Sequence, residues 1–283
     1  MTELEIRKAI IENCLKMNAT GLNQGTSGNL SARYKDVMII TPSGIAYEAL
    51  KPGDLATMPI NKDYGSWEGP LKPSTEWRFH LDIMIDRPDV GGIVHTHSTY
   101  ATILSIAGKE IPACHYMIAA FGGPMIRCAD YATFGTEELS ANALKALKDR
   151  TGCILANHGM IATGANIAKA MWLAVELETI AKQYYQSLLI GGPNLLSDAE
   201  IANVMERFKG YGLQDKKSAN SNAKPKTRAK TPAKTKAAGK TSAAAKPKVA
   251  AKRKAPSKAR TQTKAGAQTK ARTQTKPRTR KQA

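Results

Sequence analysis

No acidic side chain follows Asp215, and this break decides how much of the chain can fold. From Lys216 to Lys281 there are 23 lysines and arginines, spaced by Ala, Thr, Pro and Gln. Val249 is the sole large aliphatic residue of that stretch, and no aromatic residue occurs in it. A segment of this composition cannot bury enough apolar surface to offset the entropy lost on ordering, so residues 216–283 are expected to form a disordered basic tail. The tail also explains the formal net charge of +19. It leaves 19 of the 42 basic side chains and all 23 acidic ones to residues 1–215, a net charge of −4. The folded part is expected to be one mildly acidic domain over residues 1–215.

Within that domain the four cysteines (Cys14, Cys114, Cys128 and Cys153) stand apart, with no C-x-x-C pair. Scattered single cysteines read as reduced thiols in a reducing compartment. No apolar run approaches 18 residues and no signal-peptide pattern opens the chain, so a cytoplasmic location is expected. Helical spacing of Ile6, Ile10, Cys14 and Met17 predicts a helix over residues 3–19, with Gly21 just beyond its end. Short strand-like runs follow at 30–34 and 37–41 and continue to about Ile60. A helix from about Pro73 to Asp86 takes Ser74 as N-cap, with Trp77, Leu81 and Met84 or Ile85 inward. Further helices are expected over about 98–107 and 166–190, the latter turning Ile167, Met171, Val175, Tyr184 and Leu188 inward. Ser197 and Glu200 read as a capping box for a last helix. Cys153–Ala156 reads as a strand. Helices and strands alternate irregularly, which points to an α/β chain with a mixed, mostly antiparallel sheet between helical layers.

The chemistry centres on Val94-His95-Thr96-His97. Val94 and Ile93 favour an extended backbone, which sets His95 and His97 on one face, as two ligands of one metal require. The chain has only five histidines. His158, at a strand end before Gly159, is a third ligand candidate, or else an isolated core or cap histidine. Glu76, near a helix start, reads as a fourth ligand, a movable acid/base, or a carboxylate complementing the helix dipole. Three small turns rich in glycine and hydroxyls, Gly25-Thr26-Ser27-Gly28-Asn29, Ser43-Gly44 and Ser74-Thr75, offer backbone N–H groups suited to a phosphate. None is a Walker A or dinucleotide fingerprint.

These stretches, in this order, resemble the class II aldolase/adducin family. Beside those already quoted, the resemblance runs through Pro73-Ser74-Thr75-Glu76-Trp77-Arg78-Phe79-His80, His115-Tyr116-Met117-Ile118-Ala119, Tyr131-Ala132-Thr133-Phe134-Gly135-Thr136 and Asn157-His158-Gly159. It covers about residues 3–213. It implies the class II aldolase fold and metal-dependent cleavage of a ketose 1-phosphate to dihydroxyacetone phosphate and an aldehyde. The substrate would be like L-fuculose 1-phosphate, or a 5-deoxy- or 5-methylthio-pentulose 1-phosphate. It further implies that His95, His97, His158 and Glu76 would hold Zn²⁺, with Mn²⁺ or Co²⁺ as other divalent choices. Glu76 would also act as acid/base. Thr26, Gly28, Asn29, Ser43, Gly44, Ser74 and Thr75 would bind the phosphate. Tyr116 would be catalytic and, with Tyr211, would reach the site from a neighbouring subunit of a tetramer; Phe134 would line the aldehyde pocket. Asn157 departs from the pattern, since fuculose-phosphate-cleaving members have a histidine there.

Within the family, sugar-phosphate epimerases, dehydratases and decarboxylases are the alternatives. Epimerases carry Asp at the position of Glu76 and dehydratases carry Glu at that of Tyr116, so this chain sides with the aldolases. Adducin-like scaffolds lack the metal ligands that it retains. The tail lies outside the resemblance. Its composition is that of linker-histone arms, and it is read either as a solvated extension or as a nonspecific binder of nucleic acid or another polyanion.

Overall fold

A computed structural model describes residues 1–210. The expectations for Tyr211 and for the tail from Lys216 onward therefore fall outside the described residues.

Seven strands form one sheet: β1 (Asn29–Tyr34), β2 (Val37–Ile40), β3 (Ala56–Pro59), β4 (Gly92–Thr96), β5 (Cys128–Ala129), β6 (Gly152–Leu155) and β7 (Gly159–Gly164). Their order is β3-β2-β1-β4-β7-β6-β5. Every neighbouring pair is antiparallel except β5 with β6, which is parallel. The mixed, mostly antiparallel sheet expected from the sequence is thus present. Among the described residues there are six α-helices, α1 (Glu3–Ala19), α2 (Trp77–Asp86), α3 (Thr99–Ile106), α4 (Glu137–Leu147), α5 (Ile167–Leu188) and α6 (Asp198–Phe208), of which the first five pack on the sheet.

Alternation along the strands divides the interior into two cores. Leu30, Val94, Met160 and Ala162 face a layer that includes Ile10, Cys14 and Met17 of α1, Leu104 of α3 and Leu177 of α5. Ile40, Ile93, Leu155 and Ile161 face Phe79, Leu81 and Ile83 of α2 and Leu139 and Ala143 of α4. Ile93 and Val94 are adjacent yet belong to opposite cores, as a period of two demands. His95, next in line, therefore turns to the α2 side, where the Phe79 ring meets it edge-on at 5.3 Å.

Helix α1 ends as its sequence suggests. The Leu22 amide donates to the Met17 carbonyl at 2.9 Å and the Gly21 amide to Asn18 at 3.1 Å, the paired bonds of a Schellman motif. Ser197 caps α6 by accepting from the Glu200 amide at 3.2 Å.

Other expectations need correction. Ser74 is not the cap of α2: the helix begins at Trp77, Glu76 occupies the cap position, and the Ser74 hydroxyl accepts from the Glu76 amide at 3.3 Å. Val175 and Leu188 lie on the outer side of α5, because Ala170, Ala174 and Ala181 let that helix sit close to the sheet along a different stripe. The sequence reading assigns no helix at α4 and no strand at β5 or β7. The inward face of α4 is built partly from Ser140, Ala143 and Ala146, and β5 has two residues. Strand β7 is buried on both faces, so it shows no polar alternation. All four cysteines are free thiols. Among the described residues no helix is long and apolar enough to cross a membrane.

Candidate metal centre and adjoining cleft

Antiparallel pairing of β4 with β7 brings the end of one beside the start of the other, with Thr96 opposite Met160. His97 follows β4 and His158 precedes β7, so two residues 61 positions apart become neighbours. Glu76, at the N-cap of α2, closes the group from the helical layer. The Nε2 atoms of His95 and His97 lie 3.2 Å apart. Glu76 Oε2 is 3.2 Å from His95 Nε2, and its Oε1 is 3.1 Å from His158 Nε2. One ligand atom from each of the four residues falls within 4.8 Å of the others. Of the metal-ligand set expected from the sequence, the fold brings together every member.

Their chemical states suit a cation. The Met160 carbonyl, 3.0 Å from His95 Nδ1, can only accept, so Nδ1 carries the ring hydrogen and Nε2 offers its lone pair inward. Burial, then the neighbouring His95 and His158, pull His97 down to about 4, which leaves it a neutral ligand at physiological pH. Burial opposes the charge on Glu76, but His95 and His158 outweigh it and hold the carboxyl well below the usual range. Glu76 Oε1 is buried and makes no hydrogen bond, although it stands at ion-pair distance from His158. An orphaned carboxylate oxygen facing three imidazoles is a costly arrangement without a positive charge among them. Three N donors and one O donor are a ligand set for Zn²⁺ or a similar divalent ion, so the residues fit a metal.

Gly159 permits the close approach of the two strand ends. A Cβ there would lie 2.4 Å from the Thr96 carbonyl and 2.9 Å from His97 Cδ2. Gly28 does the same on the other side, since its Cβ would fall 2.8 Å from the His95 carbonyl. A cleft of about 270 Å³ opens beside the cluster, lined by Glu76, His97 and His158 together with Tyr131, Phe134 and Asn157. Phe134 and Thr75 both line this cleft.

The three anion-suited turns are drawn together. The Thr41 amide donates to the Leu30 carbonyl at 3.1 Å, and the Ser74 amide donates to the Thr41 carbonyl at 2.9 Å. The Ser43 amide reaches Lys72 at 3.2 Å, and the Tyr47 hydroxyl donates to the Gly28 carbonyl at 2.5 Å. Thr26, Ser43, Gly44 and Thr75 remain exposed around this junction; Gly28, Asn29 and Ser74 are buried in it. Tyr116 opens a short 3-10 turn (Tyr116–Phe121) that packs with α6, half exposed, and it does not line the cleft of its own chain.

Residues 8–185 match the family described as Class II Aldolase and Adducin N-terminal domain. The chain belongs to the class II aldolase and adducin family. It is 48% identical over 211 residues to the 5-methylthioribulose-1-phosphate/5-deoxyribulose-1-phosphate aldolase of Rhodospirillum rubrum, covering 75% of this chain and 94% of that one. It is 49% identical over 215 residues to an L-fuculose phosphate aldolase of Escherichia coli, covering 76% and 99%. Among solved structures, an L-fuculose 1-phosphate aldolase superposes with a TM-score of 0.70 at 41% identity, over 72% of this chain and 96% of that one. Named relatives of this class II aldolase family member are thus aldolases, which are lyases.

Sequence reasoning missed two groups of residues in this family member's site. Tyr131, which stands only within a quoted motif, and Asn157, which stands as a departure from the family pattern, both line the cleft. Ser31 and His80 were assigned nothing, yet they lie behind Glu76 in a buried line of hydrogen bonds that runs through Asn29. The legible signal was paired spacing: Asn29 and Ser31 at i, i+2 on β1, Glu76 and His80 at i, i+4 at the start of α2.

Proposed function

We propose that this chain is a metal-dependent aldolase that cleaves a ketose 1-phosphate to dihydroxyacetone phosphate and an aldehyde. The observation that carries the reading is the four-residue ligand cluster, with ligand atoms within 4.8 Å, opening onto a cleft that lies next to the hydroxyl-rich turns. His95, His97, His158 and Glu76 hold the metal, which we assign as Zn²⁺. The bound cation supplies Lewis-acid stabilisation of the negative charge that develops on the three-carbon half when the carbon–carbon bond breaks. Thr26, Gly28, Ser43, Gly44, Ser74 and Thr75 bind the phosphate, joined by the amide hydrogen of Asn29 that is not committed to Glu76. Glu76 carries the proton between the two halves of the reaction as general acid/base. Tyr116 of an adjacent copy donates a hydrogen bond to the oxygen of the departing aldehyde, and Tyr211 closes the site from the same side. This requires an assembly, which we take to be a homotetramer. Phe134, with Tyr131, bounds the aldehyde end, where substrates like L-fuculose 1-phosphate and 5-deoxy- or 5-methylthio-pentulose 1-phosphates differ. Free, unpaired cysteines support a reducing, cytoplasmic setting.

The test is a panel of these ketose 1-phosphates incubated with and without a chelator. Dihydroxyacetone phosphate should appear only with metal present. An epimerised or dehydrated product would assign a sister activity, and full turnover by the metal-free protein would remove the reading. A second function is proposed for the tail alone. Its 23 positive charges without a negative one over residues 216–283 favour sequence-independent binding of nucleic acid or another polyanion.

A further inference from the structure

Behind Glu76, away from the cleft, a line of polar side chains runs through an otherwise apolar layer. Asn29 Nδ2 donates to Glu76 Oε2 at 2.9 Å. His80 Nε2 meets Asn29 Oδ1 at 2.5 Å, and His80 Nδ1 meets the Ser31 hydroxyl at 2.8 Å. Ser31 and His80 have no exposed surface, and Asn29 and Glu76 have almost none. The Phe79 ring stacks on His80 at 4.6 Å, which excludes water from that side.

The direction of every hydrogen in this line follows by elimination. An ionised Glu76 only accepts, so Asn29 must turn its amide nitrogen toward it. The Asn29 carbonyl oxygen then faces His80, so His80 Nε2 must carry the ring hydrogen. Burial, with His95 nearby, pulls His80 down to about 3, so the ring is neutral and its Nδ1 accepts. Ser31 is left as donor. One change of tautomer at His80 would turn the Asn29 amide over and set its oxygen against the Glu76 carboxylate.

We propose that His80 is a positioning residue: locked by Ser31 in one tautomer, it orients Asn29 so that the Asn29 amide holds Glu76 Oε2 and thereby sets the carboxylate against the His95 and His158 ligand atoms. The proposal rests on the reading of Glu76 as ligand and acid/base. A carboxylate that binds a cation and then moves a proton must start from one defined position, and the Asn29 bond sets that position. The hydroxyl and imidazole need not touch substrate to do this, because the Asn29 amide transmits their orientation.

Three variants of the full-length protein test it. H80F keeps the ring and the stacking on Phe79 but cannot donate or accept. S31A removes the hydroxyl that selects the tautomer while changing little volume. H80Q restores a donor and an acceptor on one planar group. Each chelator-stripped protein is titrated with Co²⁺ alone, read by its visible absorption, and kcat and KM are measured on the ketose 1-phosphate that the wild type cleaves. H80F and S31A should each lose roughly 10–100-fold in Co²⁺ affinity or kcat, the range for removing a partner of a metal ligand. KM should move less, and H80Q should recover most of the loss. The Co²⁺ titration needs no substrate, so it judges the relay even if the wild type cleaves none of the panel. If H80F and S31A match the wild type in both measurements, the relay has no role. If H80Q falls as far as H80F and melting temperatures fall in step, His80 is a packing residue and the proposal is overturned.

Discussion

The proposed function gives Glu76 two tasks, metal ligand and acid/base. Its Oε2 accepts from Asn29 and stands 3.2 Å from His95 Nε2, while its Oε1, buried and without a hydrogen bond, stands 3.1 Å from His158 Nε2. Replacing the carboxylate with an amide keeps its shape but removes its charge and its ability to take up a proton. E76Q is therefore expected to bind substrate at saturating metal yet turn over about 10²–10⁴-fold more slowly, the range for loss of a general acid/base. Titration calorimetry for binding, beside a rate measurement, checks this. Normal turnover at saturating metal would reduce Glu76 to a ligand only. Gly159 is constrained by space: in G159A the new methyl would meet the Thr96 carbonyl at 2.4 Å, between the backbone segments that carry His97 and His158. Backbone on both sides cannot yield cheaply, so metal affinity should fall while the five-histidine composition is untouched. A metal-binding titration of G159A against wild type tests it.

Helices hold the site as much as strands do. Helix α3 starts directly after His97 and Ser98, and its first amides are capped from another helix. Glu178 of α5 accepts from the Tyr100 amide at 2.8 Å, the Ala101 amide at 2.9 Å and the Ser98 hydroxyl at 2.8 Å. A carboxylate at a helix N-terminus also meets the positive end of the dipole. E178A should lower stability by about 1–3 kcal/mol, because it strands three partly buried donors and removes a charged acceptor. Denaturant unfolding at fixed protein concentration would reveal the loss. Since the cap tethers the segment leaving His97, metal affinity should drop with it; an unchanged unfolding midpoint would mean that solvent replaces the bonds.

For the molecule as a whole, the assignments of Tyr116 and Tyr211 demand more than one copy per site, so active protein should sediment as an oligomer and an active monomer would contradict them. The tail is predicted to act independently of the catalytic part. A version ending at Asp215 should keep its turnover and lose retention on duplex DNA at low salt. Without aromatic residues to stack on bases, the full chain should bind any sequence, with each neutralised phosphate adding about −0.9 to the slope of log affinity against log salt. In an oligomer, several tails would raise the effective concentration of later contacts. Equal, weak retention of the full and truncated proteins would leave the tail a solvated extension.

Local pattern sufficed wherever a side chain's neighbours lie within a turn or a strand. The helix over Glu3–Ala19, its end at Gly21, the cap at Ser197 and the shared face of His95 and His97 depend on periods of 3.6 and 2, which the sequence displays directly. Order and spacing of the motifs carried the family, and they named the four residues that the fold groups around one point. Three features could not be read that way. Strand β7 is buried on both faces, so it does not announce itself, although the apolar stripe of α4 (Leu139, Ala143, Ala146 and Leu147) behind the Thr136 cap was open to such a reading. Ser74 ceded the cap of α2 to Glu76 because the Thr41 carbonyl engages its amide in the neighbouring turn. The line from Ser31 through His80 and Asn29 to Glu76 joins a strand to a helix some 47 residues later, and only packing β1 against α2 makes it continuous. Sequence by itself names the groups able to bind metal and move a proton. That Asn29 holds one oxygen of Glu76 while both oxygens stand beside histidines depends on contacts across the sheet that no local period encodes.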